Sequence, residues 1–237
     1  MVMFQGKSVF VLGGSRGIGA AIVRRFAADG ATVTFTYAAS RQAAERLSTE
    51  TGSTAILADS ADRNAVITTV RESGPLDVLV VSSGIAIVGD ALDQDPDAID
   101  RLFRVNVHAP YHAAVEAARQ MPEGGRIIVI GSVNGDRMPF AGAASYALSK
   151  SALQGMARGL ARDLGPRGIT INIVQPGPTD TEFNPEDGPM KDLMHGFMAI
   201  KRHGRPAEIA GMVAWLAGPE AGFVTGAMHT IDGGYAA

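Results

Sequence analysis

Short apolar runs rich in branched side chains alternate along the chain with stretches in which apolar residues recur every three or four positions. A short continuous apolar run predicts a buried strand, and a repeat of about 3.6 residues predicts a helix. The predicted strands are residues 8–12, 32–37, 54–58, 78–81, 126–130, 170–174 and 228–231. The predicted helices are residues 18–29, 41–50, 63–73, 97–120, 145–164 and 207–216.

This alternation predicts βαβ units, in which a helix crosses over between parallel neighbouring strands. Residues 127–130 are apolar at every position, as a strand buried on both faces requires. We therefore predict an α/β fold, a single-domain Rossmann-type doubly wound parallel sheet of about seven strands with helices on both faces. The length of 237 residues suits one domain over residues 1–237, because no repeat or linker-like segment divides the chain.

One long irregular stretch, residues 176–190, is rich in proline, glycine, aspartate and threonine. It leads into residues 191–200, a short amphipathic piece. Long loops in compact domains are often functional lids. We therefore expect a substrate lid near residues 183–200, whose methionines form either an adaptable pocket wall or part of the core.

Composition excludes several classes of protein. The net charge of −3 provides no basic surface for nonspecific nucleic-acid binding. The absence of cysteine excludes disulfides, thiolate nucleophiles and cysteine-ligated metals. No apolar run reaches the roughly 18 residues of a membrane span, and no signal-peptide pattern precedes the first strand. We therefore expect a cytoplasmic protein with no nucleic-acid partner and no membrane partner.

A glycine-rich turn joins the first predicted strand to the first predicted helix. Gly13, Gly17 and Gly19 give the spacing G-x-x-x-G-x-G. Glycine permits positive φ and close approach of backbone N–H groups to a pyrophosphate, and the helix N-terminus adds roughly half a positive charge there. The turn predicts a dinucleotide site at the carboxyl edge of the sheet, where such folds bind their ligands.

A second pattern predicts proton chemistry. Tyr146 and Lys150 share one helix face, because side chains four residues apart lie one above the other. An ammonium beside a phenol favours the phenolate and brings its pKa nearer neutrality. Ser132, after the fifth predicted strand, could hold a carbonyl or alcohol oxygen at the same point. This arrangement predicts a proton-transfer site that lacks only a hydride source.

Two further pairs occur at helical spacing. His108 and His112 resemble a zinc pair, but Pro110 interrupts them and no third ligand is evident, so we expect no metal there. Arg158 and Arg162 could clamp the phosphates of a dinucleotide, or they could form an ordinary solvated face. The sequence leaves both interpretations of the arginine pair open.

The motifs of one protein family occur in family order over nearly the whole chain. They are the glycine turn, Asp59 after the third strand, Ser82-Ser83-Gly84 where the family usually has Asn-Ala-Gly, then Asn106, Ser132, Tyr146, Lys150, Pro176-Gly177 with Thr181, Thr225-Gly226-Ala227 and Ile231-Asp232-Gly233-Gly234. In this combination the chain resembles the short-chain dehydrogenase/reductase family.

The resemblance implies a catalytic role for four residues. Tyr146 would be the general acid in reduction and the base in oxidation. Lys150 would lower the pKa of Tyr146 and bind the nicotinamide ribose. Ser132 would orient the substrate oxygen, and Asn106 would hold a water that links Lys150 to a proton path. The implied cofactor-binding residues are Gly13, Ser15, Arg16, Gly17, Ile18, Gly19, Ser40, Arg41, Asp59, Ser60, Ser82, Gly84, Tyr146, Lys150, Pro176, Gly177, Thr179 and Thr181.

The resemblance also bears on the choice of nicotinamide. NAD-specific members usually end the second strand with an aspartate, whereas here no carboxylate occurs before Glu45. Arg16 and Arg41 are cations placed for a 2′-phosphate, and Ser40 is a donor, so we expect NADP(H). Ala39 stands where many NADP-preferring relatives carry arginine. For Asp59, a helix N-cap is an equal alternative to a cofactor contact.

The main functional expectation is an NADP(H)-dependent oxidoreductase acting on a small-molecule carbonyl or alcohol substrate. An alternative is a cyclic-di-GMP-binding regulator of biofilm dispersal on the same fold, because residues 130–138 and 199–204 resemble a bacterial member of the family with that property. Relatives assemble through the helix matching residues 145–164, which is rich in small residues, so we expect a homodimer or homotetramer.

Overall fold

The computed structural model describes residues 3–237 and contains one sheet of seven strands. All pairings are parallel, in the order β3-β2-β1-β4-β5-β6-β7. This confirms the predicted fold class, with β3 one residue shorter and β6 two residues longer than predicted. The strands are β1 Ser8–Leu12, β2 Thr32–Tyr37, β3 Thr54–Leu57, β4 Val78–Val81, β5 Arg126–Ile130, β6 Thr170–Pro176 and β7 Met228–Ile231.

Helices connect the strands and cover both faces of the sheet. They are α1 Gly17–Ala28, α2 Arg41–Thr51, α3 Arg63–Glu72, α4 Pro96–Phe103, α5 Ala109–Gln120, α6 Ala144–Leu164, α7 Lys191–Phe197 and α8 Pro206–Ala217. Within residues 3–237, no helix is both long enough and apolar enough to cross a membrane.

Successive side chains of β1 enter opposite cores. Val9 and Val11 belong to a cluster that includes residues of α1 and α8. Phe10 and Leu12 belong to a second cluster, built on residues of α3, α5 and α6. This is the period-2 alternation of a strand buried on both faces, and it explains why the central strands β1, β4 and β5 are almost entirely apolar.

The predicted single helix over residues 97–120 is wrong in one respect. A turn of π-helix, Arg104–His108, separates α4 from α5, and the N–H of Ala109 donates to the carbonyl of Arg104, five residues earlier. Pro110 supplies the physical reason, because proline has no N–H and its ring clashes with the carbonyl four residues before it, here that of Asn106. The wider turn avoids that clash, and single π turns often occur at functional sites.

The strand order reverses between β1 and β4. In doubly wound sheets the crevice beyond the carboxyl ends of the strands at this point is where ligands bind. The glycine turn leaves β1 at this edge, and Ser82 leaves β4 beside it, with its N–H donating to the carbonyl of Leu12 at 2.8 Å. The fold therefore brings the glycine turn and the segment that begins at Ser82 together at one edge of the sheet.

Candidate active site

The glycine positions of the turn have no room for a side chain. A Cβ on Gly19 would lie 2.1 Å from the carbonyl oxygen of Gly13, and one on Gly14 would lie 2.5 Å from Cβ of Phe35. Gly17 has a φ of +50°, which side-chain-bearing residues rarely adopt. The first N–H groups of α1 have no acceptor within the helix and can bind an anion. This cradle, which any Cβ would fill, fits the pyrophosphate of a dinucleotide.

Neighbouring strands hold the turn in place. The N–H of Gly13 donates to Oγ1 of Thr36 at 2.9 Å, and a Cβ on Gly13 would lie 2.7 Å from Cα of Ser83. The Oγ of Ser83 is buried without a hydrogen-bond partner among the described residues. The sequence analysis assigned neither Thr36 nor Ser83 to the site, although Ser83 stands in the family motif after β4 and Thr36 near the end of β2 was a usable signal. The unpaired hydroxyl beside the turn is consistent with a polar ligand.

Ser132, Tyr146 and Lys150 meet at the same edge. Ser132 follows β5, whereas Tyr146 and Lys150 lie one turn apart on α6. The Ser132 side chain lies near enough to the Tyr146 phenol to act on it and to oppose the rise of its pKa. Nζ of Lys150 lies 5.8 Å from the centre of the Tyr146 ring and donates to the carbonyl of Ile130 at 3.1 Å. The three residues that the sequence predicted to act together are therefore adjacent.

The electrostatics of this group differ from the prediction. Burial raises the pKa of the Tyr146 phenol, although the Ser132 side chain opposes that shift. Burial also lowers the pKa of Lys150 to about 8, with the side chain only 5% exposed. The expected lowering of the Tyr146 pKa by Lys150 is thus wrong for this geometry, because desolvation of the phenolate dominates.

Asn106 lies in the π turn and is completely buried. Its Oδ1 accepts from the N–H of Ile85 at 2.9 Å, and its Nδ2 donates to the carbonyl of Ile85 at 2.8 Å and to Oγ of Ser149 at 3.0 Å. Gly84 lies between Asn106 and Lys150, since a Cβ there would be 3.3 Å from Nζ of Lys150 and 3.7 Å from Oδ1. Asn106 therefore positions the segment that lies against Lys150.

The residues expected to bind a 2′-phosphate lie at the ends of β1 and β2. Arg16 is exposed at the N-cap of α1, and Ser40 is the N-cap of α2. Nε of Arg41 contacts Oε1 of Glu45 at 3.0 Å, with both side chains mostly exposed. A surface pair at this spacing contributes only about 0.3–0.5 kcal/mol, so a phosphate could readily replace Glu45.

The two interpretations of Asp59 are only partly resolved. Asp62, not Asp59, is the N-cap of α3, so the helix-cap alternative is wrong. The Asp59 carboxylate accepts from the N–H of Ala61 at 2.9 Å and contacts Nη2 of Arg101 at 2.9 Å. Burial would raise the pKa of Asp59, but these two donors and the nearby Arg104 charge lower it overall. A cofactor contact for Asp59 and for Ser60, which is buried beside it, stays a prediction.

The segment that follows β6 lies over the glycine turn. Pro176 is the last residue of β6, and a Cβ on Gly177 would lie 2.7 Å from Cα of Asp232. Thr179 is buried, and its Oγ1 donates to the carbonyl of Gly177 at 3.0 Å. The methyl group of Thr181 lies 3.2 Å from the point that a Cβ of Gly17 would occupy. Ser15 and Ile18, half-buried in the turn itself, complete the predicted cofactor edge.

The expected lid contains α7, which has no buried residue. Of the lid methionines, Met198 is part of a small buried cluster with Val133 and Tyr235, which is the core role that the sequence left open. Met190 is exposed, and its role in a pocket wall stays a prediction. Phe183 is 73% exposed, so an apolar ring is available to solvent or to a ligand.

Residues 13–236 match the family model described as Enoyl-(Acyl carrier protein) reductase. A short-chain dehydrogenase/reductase from Serratia marcescens is 53% identical, with a TM-score of 0.97 over 99% of this chain and 100% of that chain. The chain belongs to the short-chain dehydrogenase/reductase family. The resemblance carried by the ordered motifs is therefore confirmed, and the reductase motifs fall at one sheet edge.

Two similarities within the family are stronger. The cyclic-di-GMP-binding biofilm dispersal mediator protein of Escherichia coli K12 is 72% identical over 237 residues, which cover 100% of both chains. A crystal structure of BdcA in complex with NADPH is 73% identical, with a TM-score of 0.97 over 98% of this chain and 95% of that chain. This chain is thus similar both to a cyclic-di-GMP-binding protein and to an NADPH complex.

Proposed function

We propose that the chain is an NADP(H)-dependent oxidoreductase that transfers a hydride between the nicotinamide and a carbonyl or alcohol substrate. The observation that supports this most is the meeting of Ser132, Tyr146 and Lys150 beside the glycine turn. Carbonyl reduction needs a proton donor and a group that holds the substrate oxygen. These three side chains supply both.

The glycine turn would hold the pyrophosphate, and Lys150 would bind the nicotinamide ribose. Arg16, Ser40 and Arg41 would bind the 2′-phosphate, since no carboxylate at the end of β2 opposes it. When bound, NADPH supplies the hydride. The NADPH complex of the 73% identical BdcA supports this choice of cofactor.

Tyr146, Ser132 and Lys150 would each have a different part in moving the proton to the substrate oxygen. The raised pKa of Tyr146 keeps the phenol protonated at neutral pH, so its hydroxyl can donate to a developing alkoxide. Oγ of Ser132 accepts from the N–H of Asn134 at 3.1 Å, which leaves its hydroxyl hydrogen for the substrate oxygen. Lys150, with a pKa of about 8, can return a proton to Tyr146 near physiological pH. A water for that relay would be held at Asn106, whose backbone carbonyl receives no helical hydrogen bond from Pro110.

The decisive test is Tyr146→Phe in an assay of NADPH oxidation against a panel of aldehydes and ketones. We expect kcat/KM to fall about 10²–10⁴-fold, the usual contribution of a positioned acid, while NADPH affinity changes little. Tyr111→Phe is the matched control, because Tyr111 is exposed on α5. If wild type and Tyr146→Phe turn over equally slowly on every substrate, the enzymatic proposal is wrong.

Cofactor preference tests the phosphate site separately. Arg16→Ala should weaken NADPH binding about tenfold, the typical loss for one charge-assisted hydrogen bond, and should leave NADH binding unchanged. Arg162→Ala, an exposed arginine on α6, is the control. An unchanged ratio of NADPH to NADH affinity would show that Arg16 does not contact the phosphate.

We further propose that residues 183–200 cover the substrate and that the chain forms a homodimer or homotetramer through α6. Gly155 and Gly159 are exposed on α6, and nothing lies within 4 Å of the point that a Cβ of either would occupy. Close helix approach at such positions is sterically possible. Light scattering should give a mass of two or four chains, and a monomer at micromolar concentration would contradict the assembly.

Binding of cyclic-di-GMP is the second candidate, because a protein 72% identical over the whole chain is named for it. Arg158 and Arg162 are exposed on α6 and form no ion pair within the described residues, so they could contact phosphates. Calorimetry should show saturable binding that the double variant Arg158→Ala/Arg162→Ala weakens. An absence of heat at micromolar protein would exclude this function, whatever the outcome with NADPH.

A further inference from the structure

Three potential metal ligands converge at the lid, away from the residues of the redox site. Glu186 lies in the loop before α7, His195 lies on α7, and His203 lies just before α8. One ligand atom from each residue lies within 4.8 Å of the other two. The three residues are separated by nine and eight positions, a spacing that no metal-binding motif predicts, so sequence reasoning missed them.

The two histidine rings are aimed at each other through their nitrogens. Nε2 of His195 lies 2.9 Å from Nδ1 of His203, and the rings are tilted by 58°. Oε1 of Glu186 accepts from the backbone N–H of His203 at 3.3 Å. Two imidazole nitrogens and a carboxylate oxygen therefore surround one point.

His203 is an unusual residue to bury without a ligand. It is only 1% exposed. Nδ1 is the nitrogen that faces His195, and Nε2, on the other side of the ring, has no hydrogen-bond partner among the described residues, so an ion at Nδ1 would leave the ring proton on Nε2.

We propose that Glu186, His195 and His203 bind a divalent transition-metal ion, for which zinc is the best match. Two imidazoles with one carboxylate suit zinc, whereas magnesium and calcium prefer oxygen ligands. Zinc–nitrogen bonds of about 2.0–2.1 Å in tetrahedral geometry place two ligand nitrogens about 3.3 Å apart. The two nitrogens would therefore need to separate by a few tenths of an ångström, and both rings and the Glu186 side chain would need to rotate so that their ligand atoms point at the ion.

The charges around the site are compatible with a cation. The Asp180 carboxylate accepts from the N–H of Glu186 at 3.0 Å and adds a second negative charge nearby. Lys191 opposes it, while Nζ of Lys201 contacts the carbonyl of His195 at 2.8 Å rather than the ring. A divalent ion would thus meet two carboxylates, with the Lys191 and Lys201 ammonium groups nearby. The Arg202 guanidinium is also near, because it donates to the carbonyl of His203 at 2.9 Å, and it is paired with Glu208.

The ion would tie the lid to the cofactor edge. The N–H of Gly204, next to His203, donates to the carbonyl of Pro178 at 2.9 Å, and the N–H of Asp180 donates to the carbonyl of Gly204 at 2.9 Å. These bonds join the metal cluster to the segment that carries Thr179 and Thr181. Metal binding would therefore order α7 against that segment, independently of whether the redox proposal is correct.

The test uses the untagged full chain, so that no added histidines compete. We expect one equivalent of Co²⁺ to bind, with the visible absorption of tetrahedral cobalt, and Zn²⁺ to displace it. His195→Gln and Glu186→Gln should each weaken cobalt affinity by about 100-fold or more, since loss of even an outer-shell partner costs 10–100-fold. His108→Gln is the matched control, because it removes an exposed histidine outside the cluster.

A second readout follows trypsin cleavage after Lys191. Zn²⁺ should slow this cleavage in the wild type and leave it unchanged in His195→Gln. If cobalt does not bind saturably, or binds the variants as tightly as the wild type, the histidine pair is only a hydrogen bond and the metal site is wrong. If the metal binds saturably but does not slow trypsin cleavage after Lys191, the inference that it orders α7 against the segment of Thr179 and Thr181 is wrong.

Discussion

The glycine turn and the lid, residues 183–200, face the same edge of the sheet but are held in different ways. Around the turn, backbone atoms occupy the space that side chains would need, and Thr36 and Ser83 lie directly against it. In the lid, α7 buries no residue, and the contacts are pairs of side chains such as His195 with His203. The comparison teaches that the cofactor edge is specified by close backbone packing, whereas the lid depends on a few replaceable contacts.

The largest expected effect comes from adding one methyl group in each region. Gly19→Ala places a Cβ 2.1 Å from a backbone carbonyl oxygen and should cost on the order of 4 kcal/mol of unfolding free energy, beyond ordinary overpacking. Gly196→Ala in α7 meets nothing within 4 Å and should stabilise by about 0.5–1 kcal/mol, since alanine favours helix. Urea unfolding of both variants measures the contrast. If the two variants changed the unfolding free energy equally, the glycine turn would not be more tightly packed than the lid.

Lys150 gives the next largest effect and concerns only the buried edge. Its pKa is about 8 in the folded chain and 10.5 when unperturbed, so between these values the unfolded chain binds more protons. Stability should therefore rise by about 2 kcal/mol from pH 7.5 to pH 9.5. Urea midpoints at the two pH values measure this rise.

The control for that rise is Lys150→Met, which keeps the length of the side chain but removes the titrating group. Its stability should lack the same increment over the same pH range. If wild type and Lys150→Met change in parallel with pH, the ammonium is not desolvated and the lowered pKa of Lys150 is wrong.

The smallest effect concerns the contacts of Glu208 with Arg202 and Arg205, just after the lid, which we call the base of the lid. Arg202 contacts both carboxylate oxygens of Glu208 at 2.7 and 2.8 Å, and the N–H of Arg205 donates to it at 2.7 Å. These contacts lower the pKa of Glu208 to about 2. Their contribution is present above pH 4.5 and is lost as the pH falls toward 2. Glu208→Gln should therefore cost about 1 kcal/mol at pH 7 and progressively less below pH 4.5.

The exposed pair of Arg41 and Glu45 provides the comparison for that variant. Glu45→Gln should cost only about 0.3–0.5 kcal/mol, because neither charge is held by further donors. Thermal unfolding of the two variants at pH 7 and pH 3 tests the difference. If Glu208→Gln costs no more than Glu45→Gln, the base of the lid is not reinforced by Arg202.

The central strands β1, β4 and β5 were predictable because burial on both faces leaves a nearly continuous run of apolar residues. The other strands were predicted from runs rich in branched side chains, and all seven occur where they were predicted apart from one end of β3 and of β6. Gly13, Ser132, Tyr146 and Lys150 were predictable because each follows a strand or shares a helix face with another. Features of this kind depend on residues that are close together in the sequence, so the sequence alone can predict them.

Other features depend on contacts between distant residues and were not predictable in this way. Asp59, in the loop between β3 and α3, is paired with Arg101 on α4, and His195 meets His203 only after the loop between them folds back. The pKa direction of Tyr146 depends on how much protein surrounds the phenol, which no spacing reveals. The π turn is an exception, since Pro110 in mid-helix was a signal that could have located it.

That π turn also sets the phase of the long helix around it. A turn closed five residues back contains about one residue more than an α-helical turn, so the side chains that follow are rotated by about 100° relative to those before it. One additional residue in the turn therefore changes the direction in which all the following side chains point. The segments α4 and α5 can thus present different faces to the molecule although the chain between them never leaves a helix, and Asn106 lies where the change occurs.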